Sequence, residues 1–170
     1  MPAKDFILDP SGFVFDPPLV GIEAIRELIP QRGAMEQLTG IIHDDPEAGI
    51  VAGFKDLTDE EFWVPGHMPG MPLMPGVMMC EAAAQICSYF VMAHDLLGCE
   101  MLGFGGLDEV RFRGAVRPGD RFVVVAQKTQ VRRGAMIRCR FQCFVGEALV
   151  CEGQLRGIPI PVEALRAASG

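Results

Sequence analysis

From Val77 to Ala93 the chain carries polar groups only at Glu81, Gln85, Ser88 and Tyr89, and neither proline nor glycine interrupts it before Gly98. A run of this length without a breaker reads as a helix, with Pro75 suited to its first position and Gly98 to its stop. Such a helix has no polar face to offer water, so the rest of the chain must bury it. Its length approaches that of a membrane span. A carboxylate in mid-segment, the prolines before it and a strand-rich remainder oppose that reading, and no membrane span is expected. With 170 residues, 49% of them hydrophobic, the chain is large enough for one domain with a real core and too short for two.

The cover for the helix is legible downstream. Residues 101–113, 120–131, 135–145 and 148–158 read as four strands, broken by Arg117-Pro118-Gly119-Asp120, Arg133-Gly134 and Gly146-Glu147, and such short turns imply antiparallel pairing. Polar and apolar residues alternate in Arg138-Cys139-Arg140-Phe141-Gln142-Cys143, the pattern of a sheet covered on one face only. Upstream, 35–42 and 49–55 form a hairpin around a turn-rich 43–49, and Ile22, Ile25, Leu28 and Ile29 mark a two-turn amphipathic helix stopped by Pro30. The expected fold is α+β, an antiparallel sheet wrapped around a long central helix. Residues 1–20, with four prolines, read as an extended arm whose Phe6, Phe13 and Phe15 dock on the domain of residues 21–160; residues 161–170 read as a C-terminal tail.

Charge and cysteine content narrow the function classes. Net charge is −7, but residues 1–99 hold 4 basic against 15 acidic residues, whereas 100–170 hold 11 against 7. The basic half has few aromatics outside apolar strand patterns, so nucleic acid is not the expected partner; a small acidic partner fits better. The six cysteines contain no C-x-x-C, and Cys139 and Cys143 on one strand stand about 13 Å apart, too far to share a tetrahedral metal. No metal and no cofactor is expected, and the cysteines read as small buried thiols. The opening Met1-Pro2-Ala3-Lys4-Asp5 lacks the basic and apolar regions of a secretory signal, so the expected location is cytoplasmic.

The chemistry gathers at the start of the long helix. A carboxylate in an apolar helix is costly unless it is paired, neutralised or used, which singles out Glu81. Fourteen residues earlier, His67 stands in Gly66-His67-Met68-Pro69-Gly70-Met71-Pro72-Leu73-Met74-Pro75-Gly76, a stretch whose prolines and glycines fix the loop path. At Gly76 and Val77 the first helical turn leaves unpaired N–H groups at the positive end of a dipole, and glycine lets a carbonyl approach closely. A base, an acid and an oxyanion site suit proton abstraction beside a carbonyl with loss of a β-hydroxyl. Cys80 is turned about 100° off the Glu81 face and is not expected to act as a nucleophile.

Residues 66–85 closely resemble the signature G-H-F-P-G-x-P-x-x-P-G-V-x-x-x-E-A-x-A-Q of the hotdog-fold (3R)-hydroxyacyl-acyl-carrier-protein dehydratases, the FabA/FabZ type. The resemblance extends through Gly105-Gly106-Leu107-Asp108-Glu109-Val110-Arg111-Phe112-Arg113, Val116-Arg117-Pro118-Gly119-Asp120 and Arg132-Arg133-Gly134. It implies a hotdog fold, with His67 as base, Glu81 as acid, the Gly76 N–H on the thioester carbonyl, the Leu73 carbonyl orienting the imidazole, and Gln85 positioning Glu81 or its water. Glutamate at the acid position resembles the dehydratase-only branch rather than the dehydratase-isomerases, which carry aspartate. The resemblance also implies an acyl carrier protein bearing a 3-hydroxyacyl-phosphopantetheine as partner, and a homodimer with shared sites or a hexamer of three such dimers. Arg111, Arg113, Arg117, Arg132 and Arg133 flank the matched elements and are the candidates for carrier docking.

Two departures stand out. Met68 replaces the usual Phe, and where the family reads L-P-H-R-x-P-x-L-x-V-D this chain has Ile29-Pro30-Gln31-Arg32-Gly33-Ala34-Met35-Glu36-Gln37-Leu38-Thr39. Met68, Met71, Met74 and Met78, with Phe104, are candidates for an acyl-chain pocket, flexible thioethers serving there or equally as core filler. Two other functions remain open to a chain of this pattern: a hotdog acyl-thioesterase using the carboxylate to direct water at the same carbonyl, and an inactive paralogue that binds acyl chains or carrier protein.

Overall fold

The computed structural model describes residues 5–169, so residues 1–4 of the expected arm and Gly170 of the expected tail lie outside the described residues. The elements run β1 (Val20–Gly21), α1 (Ile22–Leu28), β2 (Gly40–Asp45), β3 (Ile50–Asp56), α2 (Gly76–Ala93), β4 (Leu102–Phe112), β5 (Arg121–Arg132), β6 (Met136–Val145), β7 (Ala148–Pro159) and α3 (Val162–Ala168). One antiparallel seven-stranded sheet, in the order β1-β2-β3-β5-β6-β7-β4, curves around α2, which packs against β3, β4, β5, β6 and β7. This is the expected hotdog arrangement. Met78, Met79, Ala82, Ala83, Ile86, Cys87, Phe90 and Val91 of α2 are buried against Val51, Val124, Phe141, Cys143 and Leu155 of the sheet. α2 is long and apolar enough to cross a membrane by composition, yet it is mostly buried inside the molecule, as the core helix of this fold must be.

Four expectations need correction. The long helix begins at Gly76, with Pro75 as its N-cap, and ends at Ala93 rather than Leu97. Asp95 takes a left-handed backbone (φ 45°), Leu96 N–H donates back to the Val91 carbonyl at 3.0 Å, and Leu97 turns into the core. Burying Leu97 and pairing Asp95 with Arg133 outweigh one more turn of helix. Second, β4 and β5 are neighbours in sequence but do not pair: β4 lies beside β7 at one edge, and β5 lies between β3 and β6. Their connection carries the fully buried Val116, whose carbonyl accepts from Met74 N–H at 2.8 Å, so it serves as a wall for the His67 loop instead of a hairpin turn.

Third, the outer face of the sheet is not bare. Phe6, Phe13 and Phe15 pack on Ala52, Phe54, Val123, Val125 and Phe144, in edge-to-face ring contacts of 5.2 Å (Phe6 with Phe144) and 5.3 Å (Phe15 with Phe54). Gln142, 1% exposed, ties the arm down by accepting from Ile7 N–H at 2.8 Å and donating to the Asp5 carbonyl at 3.0 Å. That second layer explains why β6 alternates only in its first half and is buried on both faces from Phe141 to Phe144. Fourth, the tail is helical over α3, with no buried residue.

Candidate active site

The loop before α2 is built by its own backbone. His67 N–H donates to the Trp63 carbonyl at 2.7 Å, Leu73 N–H to the His67 carbonyl at 2.8 Å, and Met68 and Met71 exchange hydrogen bonds around Gly70, whose φ is 74°. This brings the Leu73 carbonyl to 2.8 Å from His67 Nδ1. A carbonyl only accepts, so Nδ1 carries the proton and, in the neutral ring, Nε2 keeps a free lone pair. His67 is exposed, and its ring is aimed by backbone rather than by packing.

α2 starts nine residues on. Met78 and Met79 N–H both turn to the Pro75 carbonyl, leaving the N–H groups of Gly76 and Val77 without a hydrogen-bond partner among the described residues. A side chain at position 76 would meet the Phe112 ring, 2.7 Å from its nearest atom, so glycine is what allows β4 to close against the helix start. Val77 is 72% exposed and Phe112 54% exposed, so two apolar groups stand open beside the free N–H pair.

Glu81 lies one turn further in, partly buried. Gln85 Nε2 donates to Glu81 Oε1 at 2.8 Å and to the Met35 carbonyl at 2.6 Å, while Gln85 Oε1 accepts from Gln37 N–H at 2.9 Å. Gln85 is 1% exposed and its amide is thereby held at three points, a bracket that fixes the carboxyl. Because Oε1 receives the amide N–H, a proton on the carboxyl belongs on Oε2. The bracket rests on residues 33–39, the segment in which this chain departs from the family pattern. Arg26 pins that segment through a two-pronged ion pair with Glu36 (2.6 and 2.9 Å), which holds the Glu36 carboxyl below its ordinary range. Sequence reading connected Gln85 with Glu81 but not with Met35 and Gln37, because hydrogen bonds to main chain leave no mark on side-chain identity.

Beside Glu81 opens a cavity of about 70 Å³, lined by Ala84 and Ser88 of α2, by Leu102, Gly103 and Phe104 of β4, by Leu155, Arg156 and Gly157 of β7, and by Gln31. Phe104 lines this cavity. Met74 and Met78 are core residues at 3% and 8% exposure, Met68 and Met71 are on the exposed loop, and none of these four methionines lines it. His67 is not among the residues that line it.

The five arginines do not form one patch. Arg117 is exposed beside Val116 at the start of α2, and no ion pair engages it among the described residues. Arg111 and Arg113 flank the inward-turned Phe112 and so project from the outer face, where Arg113 is paired with Glu152. Arg132 and Arg133 lie at the other end of α2, about 27 Å along its axis at ~1.5 Å per residue, with Arg133 bound to Asp95 at 2.7 Å. Cys80 is 5% exposed, and a hydrogen bond with Cys151, then burial, pushes its thiol well above the ordinary range, which suits packing rather than attack. All six cysteines are free thiols, and no group of three or more potential metal ligands occurs among the described residues.

With the geometry in place, relatives can be compared. A family model described as a FabA-like domain matches residues 29–154. A 3-hydroxyacyl-[acyl-carrier-protein] dehydratase FabZ of Clostridioides difficile (strain 630) is 36% identical over 138 residues, 81% of this chain and 95% of that protein. A protein of the same name from Desulfotalea psychrophila is 35% identical over 144 residues, 84% of this chain and 95% of its own length. Among solved structures, the dehydratase heterocomplex ApeI:P of Xenorhabdus doucetiae superposes with a TM-score of 0.69 at 14% identity, covering 86% of this chain and 97% of the matched one, which speaks for the fold. The family match begins at Ile29, before the bracket under Glu81, and runs past the His67 loop into β7, so His67, the Gly76 start of α2, Glu81 and Gln85 all lie inside it: this chain belongs to the FabA-like family.

Proposed function

We propose that the protein is a (3R)-hydroxyacyl-[acyl-carrier-protein] dehydratase that converts its substrate to the trans-2-enoyl thioester and water, acting in the cytoplasm on chains carried by an acyl carrier protein. The observation that carries the reading is the complementary fixing of the two titratable groups: His67 has Nδ1 engaged and Nε2 free, and Glu81 has Oε1 engaged and Oε2 free. His67 Nε2 removes the α-proton. The electron pair moves toward the thioester oxygen, which the N–H groups of Gly76 and Val77 receive, and returns to form the double bond as the C3–O bond breaks. Glu81 in its acid form delivers the Oε2 proton to the departing hydroxyl, giving water. Transfer of a proton from the imidazolium to the Glu81 carboxylate restores both groups.

A second copy of the chain completes the site. β4 is the long free edge of the sheet, and Phe104, Leu107 and Phe112 on it are exposed, as are Met68, Met71 and Val77 around the helix start. An edge of that length and apolarity calls for a partner strand. Pairing β4 with its two-fold mate would set His67 of one chain toward the Glu81 cavity of the other. Incubation with a 3-hydroxyacyl-pantetheine and with a plain acyl-pantetheine tests the reading. Enoyl absorbance from the first without free thiol from either supports it; thiol release from both without enoyl product would replace it with a thioesterase.

A further inference from the structure

The cavity beside Glu81 is closed by side chains that leave little room for a hydrocarbon. Glu81, Ala84 and Ser88 share one face of α2, and Leu102 and Phe104 of β4 with Leu155 and Gly157 of β7 line the same cavity. Gly157 is registered between Phe104 of β4 and Ile137 of β6, so these residues share the inward face of the sheet. A side chain at 157 would stand 2.8 and 2.9 Å from the two Leu102 methyls and 3.0 Å from Ile137. Leu102 therefore lies across the gap that glycine leaves, and the fully buried Ile137 backs it.

Volume sets how far an acyl chain can enter. An apolar cavity of ~150 Å³ takes a six-carbon ring. A cavity of about 70 Å³ accordingly takes about three carbons. Glu81 meets the 3-hydroxyl, which assigns those places to C4, C5 and C6. Polarity acts in the same direction. Ser88, 7% exposed, carries the only hydroxyl among the lining side chains, and a tail pressed against it strips its water and offers no hydrogen bond. A longer tail has to push Leu102 off Gly157, and overfilling a packed wall is costly.

We propose that the preferred substrates are short-chain 3-hydroxyacyl thioesters of about four to six carbons, with Leu102 as the residue that stops longer chains. The inference rests on the dehydratase reading and adds the substrate class. The stop belongs to the chain that supplies Glu81, so it acts whether His67 comes from that chain or from its partner.

The test measures kcat/KM by enoyl absorbance for the 3-hydroxybutanoyl, 3-hydroxyhexanoyl, 3-hydroxyoctanoyl and 3-hydroxydecanoyl thioesters of pantetheine. The wild-type chain is expected to gain a fewfold per carbon from butanoyl to hexanoyl, as each methylene is buried, and to lose about tenfold or more from hexanoyl to decanoyl. Leu102→Ala vacates about three carbons of wall, so its octanoyl-to-hexanoyl ratio should rise about tenfold over that of the wild type. Ala84→Leu, which fills the cavity from the helix side, should lower the hexanoyl-to-butanoyl ratio and stands in should the first variant fail to fold. Each readout is a ratio within one preparation, so a loss of folded protein cancels. Decanoyl turnover within twofold of hexanoyl in the wild type overturns the inference, as do ratios that neither variant moves. Absence of turnover at every chain length removes the dehydratase reading itself, whereas turnover that does not fall with length removes only this inference.

Discussion

The two ends of α2 treat the same kind of backbone in opposite ways. At its C-terminal end polar groups are paired: His94 N–H donates to the Phe90 carbonyl at 3.3 Å, His94 Nε2 and Tyr89 OH meet Asp44 at 2.7 and 3.0 Å, and Arg133 closes on Asp95. Burial and then the Asp44 charge push the Tyr89 hydroxyl above its ordinary range, so it stays a neutral donor. At the N-terminal end the Gly76 and Val77 N–H groups are free and Val77 is 72% exposed. The C-terminal end is built to stay folded, and the N-terminal end is left unmatched where a substrate oxygen is to arrive. Substitutions at the two ends should therefore separate activity from stability.

The largest effect belongs to the N-terminal half. Glu81→Gln keeps the volume but cannot deliver a proton, and His67→Ala removes the base, so each should lower kcat by roughly 10²–10⁴-fold with little change in melting temperature. Enoyl absorbance alongside thermal denaturation checks both. Activity within twofold of wild type in either variant would remove that residue from the mechanism. Refolding the two variants together adds an assembly test: a site shared between chains regains roughly a quarter of wild-type activity, because half of the dimers are mixed and each has one intact site.

Next comes the bracket. Gln85→Leu removes the hydrogen bond to Glu81 together with the two that hold the amide in place, and kcat should fall about ten- to a hundredfold, less than for Glu81→Gln because the acid itself remains. KM should stay near the wild-type value while kcat falls, a split that a purely structural defect would not produce. An unchanged kcat would show that Glu81 needs no bracket.

How much of this was legible beforehand follows from what each feature depends on. α2, the four downstream strands and the docking phenylalanines follow from periodicity and breakers, which are local. The position of β4 beside β7 is not local, since a short connection normally signals a hairpin and only the closed wrap around α2 sends the strand to the far edge. His67 and Glu81 stand out because their chemistry is costly or rigidly set where they occur. Gln31 and Ser88 do not: each is ordinary in its own element, and only tertiary structure puts them on one cavity. The methionines were ambiguous because an unbranched apolar side chain fits a core and a tunnel equally well, and Met74 and Met78 lie in the core.

The C-terminal end supplies the converse case. Asp44→Ala leaves the buried Tyr89 hydroxyl and the His94 ring unmatched, which should cost about 1–3 kcal/mol of stability. For a domain of this size that is several degrees of melting temperature. Turnover per folded molecule should stay within twofold of wild type at 25 °C, as read from single-temperature kinetics and calorimetry together. A large loss of kcat would mean that the two ends are coupled through the helix, and the contrast between them would fail.

The smallest effect concerns the carrier. Arg117 is exposed next to the His67 loop and has no ion-pair partner among the described residues, whereas Arg133 is engaged by Asp95 about a helix length away, so only the first is placed to meet an acidic carrier delivering phosphopantetheine to the helix start. Exposed pairs of this kind contribute about 0.2–1 kcal/mol, which allows at most a fewfold change. Arg117→Ala should lower kcat/KM fewfold with carrier-borne substrate and leave a pantetheine substrate unaffected, while Arg133→Ala should change neither. Salt sharpens the measurement, because screening shortens from ~10 Å at 0.1 M to ~3 Å at 1 M. The wild-type advantage over Arg117→Ala should therefore shrink as salt rises. Equal losses in the two arginine variants would mean that the carrier spans both ends of α2 and that docking is not confined to the catalytic end.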